Sequence, residues 1–151
     1  MTSLRAPRFK DLSRAESDEV LARSYIGRLA FAFHDRIDIE PIAYVYEAGS
    51  IYGRTSAGTK LTTLRHHPWV AFEVDEVEGL YDWRSIVVHG TLYFLDPAGG
   101  DRDREGYARA VELLRRIDAE ALTSGDVAPH RTAVFRVMID QITGRAATTA
   151  V

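Results

Sequence analysis

The stretch Ser50–Pro68, SIYGRTSAGTKLTTLRHHP, decides how the rest of the chain is read. It begins as a short strand: alternation sends Ile51, Gly53 and Thr55 to one face and Tyr52, Arg54 and Ser56 to the other. The pattern breaks at Ser56-Ala57-Gly58-Thr59 and restarts as a helix over Lys60–His67, with Leu61 and Leu64 three apart on one side. Hydroxyl residues and a glycine therefore stand where a helix begins. Free backbone N–H groups meet the positive end of the helix dipole there, which suits an anion. Lys60 lies in the first turn and Arg54 leaves the preceding strand nearby, so a phosphate is the fitting guest. An ordinary capped turn uses the same residue types. The glycine spacing matches neither a Walker loop nor a dinucleotide fingerprint.

Upstream, period-two alternation of Leu29, Phe31 and Phe33 marks a strand, Asp35-Arg36 a turn, and Ile37–Glu47 a second strand. Pro41 cannot donate a ladder hydrogen bond, which places it at an edge or bulge and leaves neighbouring backbone groups free for a ligand. Ala48-Gly49 turns the chain into the strand already described, so three strands form an antiparallel meander. Before them, Ser13-Arg14-Ala15-Glu16 has capping-box spacing; a short helix follows with Val20 and Leu21 facing inward and Gly27 just past its end. Downstream come a strand over Trp69–Asp75, an acidic and aromatic loop or irregular strand over Glu76–Trp83, and the apolar strand Ile86–Leu95. A helix spans Asp103–Leu122, with Tyr107, Val111, Leu114, Ile117 and Ala121 on one stripe. Ala133–Ile139 is the last strand. The division is an N-terminal arm (1–12) without firm structure, one domain (13–145) and a small polar tail (146–151). Its fold class is mainly β, α+β: about six short strands with a helix between the third and fourth indicate a small antiparallel barrel with helices packed outside it.

Composition removes several function classes. The 151 residues include no cysteine, which excludes disulfides, thiolate metal sites and a cysteine nucleophile. A formal charge of −3 argues against general nucleic-acid binding. No apolar run has the length of a membrane span and no signal-peptide pattern opens the chain, so a soluble, cytoplasmic protein is expected. His66 and His67, adjacent and so on different faces, do not make a metal pair, and the acids from Glu73 to Asp82 lack a cation-loop spacing. No metal is expected. Ser24, Ser50 and Ser85 stand in no nucleophile elbow.

Four segments in this order carry a resemblance: Pro41-Ile42-Ala43-Tyr44; Ile51 through Lys60; Leu64 through Asp75; and Trp83 through Gly90. Together with the closing Ile142-Thr143-Gly144-Arg145, they make the chain similar to the pyridoxamine 5′-phosphate oxidase-like FMN-binding split barrels, in the branch that includes the nitroimidazole-resistance proteins. The resemblance covers most of Gly27–Arg145. It implies a homodimer that holds FMN in grooves at the shared interface, with a small-molecule substrate. Pro41, Ile42, Ala43 and Tyr44 would lie along the isoalloxazine ring and offer backbone groups to it. Arg54, Thr55, Ser56, Thr59 and Lys60 match the turn that holds the ribityl phosphate. Trp83, Arg84 and Ser85 match a segment bordering ring or phosphate, supplied by the partner subunit in one arrangement.

The implied activity is that of an FMN-dependent oxidoreductase. The alternative is a non-catalytic flavin- or haem-binding protein that stores or senses, and the family also includes users of deazaflavin. The nitroimidazole-resistance proteins usually have a histidine where Arg54 stands and an arginine where Thr59 stands, so chemistry attributed to that histidine does not carry over. The C-terminal third lacks the further basic and aromatic residues for a vitamin B6 phosphate, which argues against B6 oxidation. Tyr44 and His89 are the residues to watch near a substrate, although a histidine in so apolar a strand is more often a core residue.

Overall fold

A computed structural model describes residues 6–149. The elements run β1 (Arg8–Leu12), α1 (Arg14–Arg23), β2 (Ile26–Phe33), β3 (Arg36–Glu47), β4 (Ser50–Thr55), α2 (Thr59–His66), β5 (Trp69–Gly79), β6 (Asp82–Phe94), α3 (Asp101–Leu114) and β7 (Ala133–Thr148). All pairings are antiparallel, in the order β7-β4-β3-β2-β5-β6, and β6 pairs back onto β7. Six strands thus close a ring, which removes most of the open edge a flat sheet would expose. The expected six-stranded antiparallel split barrel with flanking helices is the observed fold.

Alternation fills the ring. Leu29 and Phe31, Ile42 and Tyr44, Ile51, Val70, Phe72 and Val74, Ile86 and Val88, and Phe135 and Val137 all point into one buried core. Gly27 belongs to this packing and is not a helix terminator: it sits inside β2, where a Cβ would come within 2.2 Å of the Phe72 ring. The β3–β4 hairpin turns on Ala48 and Gly49, both at positive φ (50° and 77°), the type I′ geometry that matches strand twist.

The helices plug and flank the barrel. At one end α1 inserts Val20 and Leu21, and its N-terminus is closed by the expected capping box, Ser13 Oγ accepting from the Glu16 amide (3.1 Å) and Glu16 from the Ser13 amide (3.0 Å). At the other end α2 inserts Leu64. Outside the ring, Ala110 and Leu114 of α3 meet Val134, Tyr52 and Leu122 in a second, smaller core. None of these helices is long and apolar enough to cross a membrane.

Several expectations are corrected. Arg8–Leu12, placed in the arm, pairs with Gly144–Thr148, which spans the end of the expected domain and the start of the expected tail, where β7 runs past the end of β4. Only Leu12 of β1 is buried, so the segment carries almost no alternation signal. Residues 1–5 and 150–151 of the same arm and tail lie outside the described residues. Glu76–Trp83 is a hairpin in which β5 and β6 continue to a turn at Leu80-Tyr81. Helix α3 ends at Leu114, eight residues early, because the chain beyond it bends over Arg54, and Leu122 adopts φ 61°.

Candidate functional site

The β4–α2 turn lies at the barrel end that α2 plugs. Helix α2 starts at Thr59, one residue earlier than expected, behind Gly58 in an extended conformation with no side-chain cap. The other two helices answer their N-terminal dipoles from within: α1 through its capping box, α3 through Asp101 and Asp103 in its first turn. Helix α2 has no acid in its first turn and carries Lys60 there. Thr55 is buried, Ser56 and Lys60 are half-buried, and Ala57, Gly58 and Thr59 are exposed. Two hydroxyls, leading amides and an ammonium therefore surround one open turn. That donor set fits a phosphate group.

Lys60 reaches across to β3. Its Nζ donates to both carboxylate oxygens of Glu40 at 2.6 Å and stands 6.0 Å from the centroid of the Phe31 ring. Strand β3 divides its partners, Arg36–Ala43 pairing with β2 and Tyr44–Glu47 with β4. The second edge of the first half, with Pro41 in it, has no strand beside it among the described residues, as the proline suggested. Pro41 is exposed and Ala43 half-buried on the outer face, whereas Ile42 and Tyr44 point into the core.

Tyr44 is therefore not a residue that meets substrate through its side chain. Its hydroxyl donates to the Leu21 carbonyl at 2.7 Å, its ring packs edge-on to Phe72, and burial pushes its phenol well above the usual value. His89 is not the core residue its apolar strand suggested: it is exposed on the outer wall, opposite Ala71 and Gln141.

Arg54 is not brought to the turn either. Its guanidinium makes a bidentate pair with Asp126 (2.5 and 3.0 Å), a further bond to Asp118 (3.2 Å), and contacts to the carbonyls of Ala128 and Arg131. Both partners are enclosed, the Arg54 side chain 10% and that of Asp126 2% exposed. Asp126 also accepts from the amides of Leu122 and Ala128. Held by Arg54 and these amides, its carboxyl titrates well below the usual aspartate range. Arg54 thus clamps the segment after α3 against the outside of β4. Strand alternation already put it on the face opposite Thr55; its nearness in sequence misled.

Trp83, Arg84 and Ser85 lie elsewhere in the same chain. They pair with Ala147, Ala146 and Arg145, whereas Thr55 and Arg54 pair with Ala133 and Val134 of the same strand β7. At ~3.3 Å per residue the two groups stand about 40 Å apart along that strand. Trp83 and Arg84 border a cavity of about 540 Å³ with Lys10, Glu78, and the ion-paired Arg23 and Glu76. Ser85 donates to Glu73 at 3.0 Å, and burial raises the Glu73 carboxyl. Among the described residues no three His, Asp or Glu side chains converge as metal ligands.

Two residues of this region were missed in the sequence. Asp126 gave no signal in a turn-rich loop. Glu40 did: it shares the inward parity of Ile42 and Tyr44, and an acid at such a position needs a partner.

A family model for pyridoxamine 5′-phosphate oxidase matches residues 13–146. The chain belongs to that family. The match runs from the N-cap of α1 into the last strand, β7, and so includes nearly the whole barrel. An uncharacterized protein of Rhizobium meliloti (strain 1021) is 32% identical over 89 residues, and the match spans 59% of this chain and 59% of that curated relative. Among solved structures, a FAD-binding protein of Mesorhizobium loti is 28% identical, with 91% of this chain and 96% of that one covered and a TM-score of 0.72. A FAD-binding protein of Mycobacterium smegmatis is 27% identical, with 90% and 98% covered and a TM-score of 0.63. A candidate 5-nitroimidazole antibiotic resistance protein of Bacteroides thetaiotaomicron shares the fold at 15% identity, with 95% and 89% covered and a TM-score of 0.70. The pyridoxamine 5′-phosphate oxidase family and its split barrel agree with the resemblance drawn from the four sequence segments.

Proposed function

We propose that this protein is a flavin-nucleotide-binding split barrel and an oxidoreductase acting on a small organic molecule. The observation that carries the reading is the β4–α2 turn, where half-buried Ser56 and Lys60 and exposed Gly58 and Thr59 stand with the leading amides of α2, and Lys60 reaches the free half of β3 at Glu40. The FAD-binding proteins similar to this chain support it. FMN is the smallest flavin that brings the phosphate this turn fits, and it is the cofactor the sequence suggests. The flavin would supply the redox chemistry. The chain's part is to grip the phosphate through the turn and present β3 backbone from Pro41 to Tyr44 to the ring's polar edge.

A homodimer is part of the same proposal. Ile37 and Ile39 on β3 are 76% and 67% exposed, and Trp69 on β5 is 67% exposed. Ala30 and Ala32 stand opposite Ile39 and Ile37, and Ala71 opposite Ala30, so these residues form one apolar outer face. A second copy covering this face would enclose the exposed edge of β3 and bring its own Trp83–Ser85 segment to the cofactor, which one chain alone does not do. Ile39→Glu is expected to convert a dimer to monomers on sizing; a parent protein that elutes as a monomer while retaining flavin would contradict the shared groove.

A non-catalytic flavin or haem carrier is the second reading. It is favoured by the enclosed position of Tyr44, whose hydroxyl is spent on the Leu21 carbonyl, and by the pairing of Lys60 with Glu40 at the turn. The absorption spectrum of freshly purified protein distinguishes flavin, deazaflavin and haem. Anaerobic reduction by NADPH, followed by reoxidation with candidate acceptors, separates enzyme from carrier.

A further inference from the structure

We infer that two copies of this chain pack wall to wall about a twofold axis running along the strands between β2 and β5, which sets Arg28 of each copy against the partner's Glu73 and Trp69 over the partner's Ala32. The inference rests on the homodimer reading and deepens it by naming the pairs that fix the register.

The ladders map the outer wall. Leu29, Phe31, Val70, Phe72 and Val74 point into the core, so Arg28, Ala30 and Ala32 on β2 and Trp69, Ala71, Glu73 and Asp75 on β5 point outward. Arg28 stands opposite Glu73 and Ala30 opposite Ala71, and the same register carries Ala32 to the level of Trp69. Ile39 on β3 extends the Ala30–Ala71 level on one side and His89 on β6 extends it on the other. A twofold that brings this wall against itself lies in its plane. Run along the strands between β2 and β5, it lays each outward residue of β2 on the residue at the same level of the partner's β5. The small Ala32 then receives the large, exposed Trp69, alanine meets alanine at the centre, and Arg28 meets Glu73. Run across the strands, it lays β2 on β2 and β5 on β5. Glu73 then faces itself, Asp75 or an apolar residue, and Arg28 faces itself or an apolar residue, which sets like charges together or leaves a charge against apolar surface.

Within one chain this wall is short of a cation. Arg28 stands 3.5 Å from Asp75, whereas Glu73 accepts from the Ser85 hydroxyl at 3.0 Å and makes no ion pair among the described residues. Burial raises the Glu73 carboxyl and Asp75 adds to the rise. The partner's Arg28 supplies the missing charge. Because the sheet closes on itself, the two walls curve apart on either side of the contact. β3 of one copy and the partner's β6 therefore border a groove, and the free half of β3 meets the Trp83–Ser85 segment there.

The test is charge reversal read on mixed chains by analytical ultracentrifugation. Arg28→Glu and Glu73→Arg are each expected to weaken self-association by about a hundredfold or more, the scale of like charges set against each other across an interface. Mixed in equal amounts, the two are expected to form a heterodimer of near-parental strength, because each copy then meets its opposite at both sites. Like-charge cost within each chain is the same alone and in the mixture, so the recovery reads the contact between copies. Reversed chains that stay dimeric, or a mixture of folded chains that stays monomeric, overturn the axis and leave the dimer standing. Where a melting curve shows a reversed chain unfolded, crosslinking decides, since the protein has no cysteine of its own. A short bismaleimide is expected to join the Ile39→Cys chain to the His89→Cys chain more than either to itself. No mixed product, or an Ile39→Cys chain joined chiefly to itself, overturns the axis. A parent protein that sediments as a monomer overturns the axis and the dimer reading together.

Discussion

The two ends of the barrel are closed in different ways. At the α1 end the chain completes itself: Ser13 and Glu16 cap the helix, Val20 and Leu21 are buried, and the Leu21 carbonyl accepts from Tyr44. At the α2 end a glycine begins the helix, one residue is buried, and the first turn carries a lysine whose partner stands on another strand. The first end has the character of a core and the second of a binding mouth. Arg54 and Lys60 repeat the contrast six residues apart. Arg54 is enclosed by fixed carboxylates, whereas Lys60, 24% exposed, meets one half-exposed acid at the rim. A cation surrounded by rigid partners is architecture; one at an open turn with donors beside it is available to a ligand.

Three substitutions sharpen this comparison. Leu21→Ala at the closed end is expected to cost about 4 kcal/mol in denaturant unfolding, because a fully enclosed leucine leaves a cavity the barrel cannot fill. A loss below about 1 kcal/mol would mean that the α1 end is not part of the core. Arg54→Met is expected to cost about 3 kcal/mol, since it leaves an enclosed carboxylate unpaired, while flavin affinity of the folded fraction stays near parental. The pH profile has a definite sign. The Asp126 carboxyl is depressed in the folded protein, so the pair's contribution is fully present above the ordinary aspartate range and is lost only as pH falls through the lower folded value. The Arg54→Met deficit is therefore expected to hold constant from neutral pH to about pH 5 and to shrink only in stronger acid. Lys60→Ala is the smallest in stability, under about 1 kcal/mol for a partly exposed pair, yet it is expected to weaken flavin retention more than tenfold. Equal retention by mutant and parent would remove the mouth from the α2 end.

The barrel was legible because its signal is local. Period-two runs such as Leu29-Phe31-Phe33 and Val70-Phe72-Val74 name the wall, and Ala48-Gly49 names a hairpin. The capping box at Ser13 and the turn at Ser56–Thr59 could be read for the same reason. Pairings between distant segments left no such mark. Nothing in Arg8–Leu12 announces a strand, because it becomes one only when Gly144–Thr148 lies beside it. The early end of α3 depends on Arg54 drawing Asp118 and Asp126 across the chain, which overrides a continuing apolar stripe. At the site, neighbourhood in sequence misled where parity would have served. Arg54 follows Gly53 and precedes Thr55, yet points away from both, while Glu40 reaches Lys60 from twenty positions earlier.

The ladder between β1 and β7 also ties biosynthesis to architecture. Residue 8 cannot find its neighbour until residue 148 has been made, so the first strand of this pair must wait, unpaired, while the whole barrel between them is synthesised. Closure of this wall is consequently a late event, and a ribosome stalled before Gly144 would display β7's first half with its final seam unsewn.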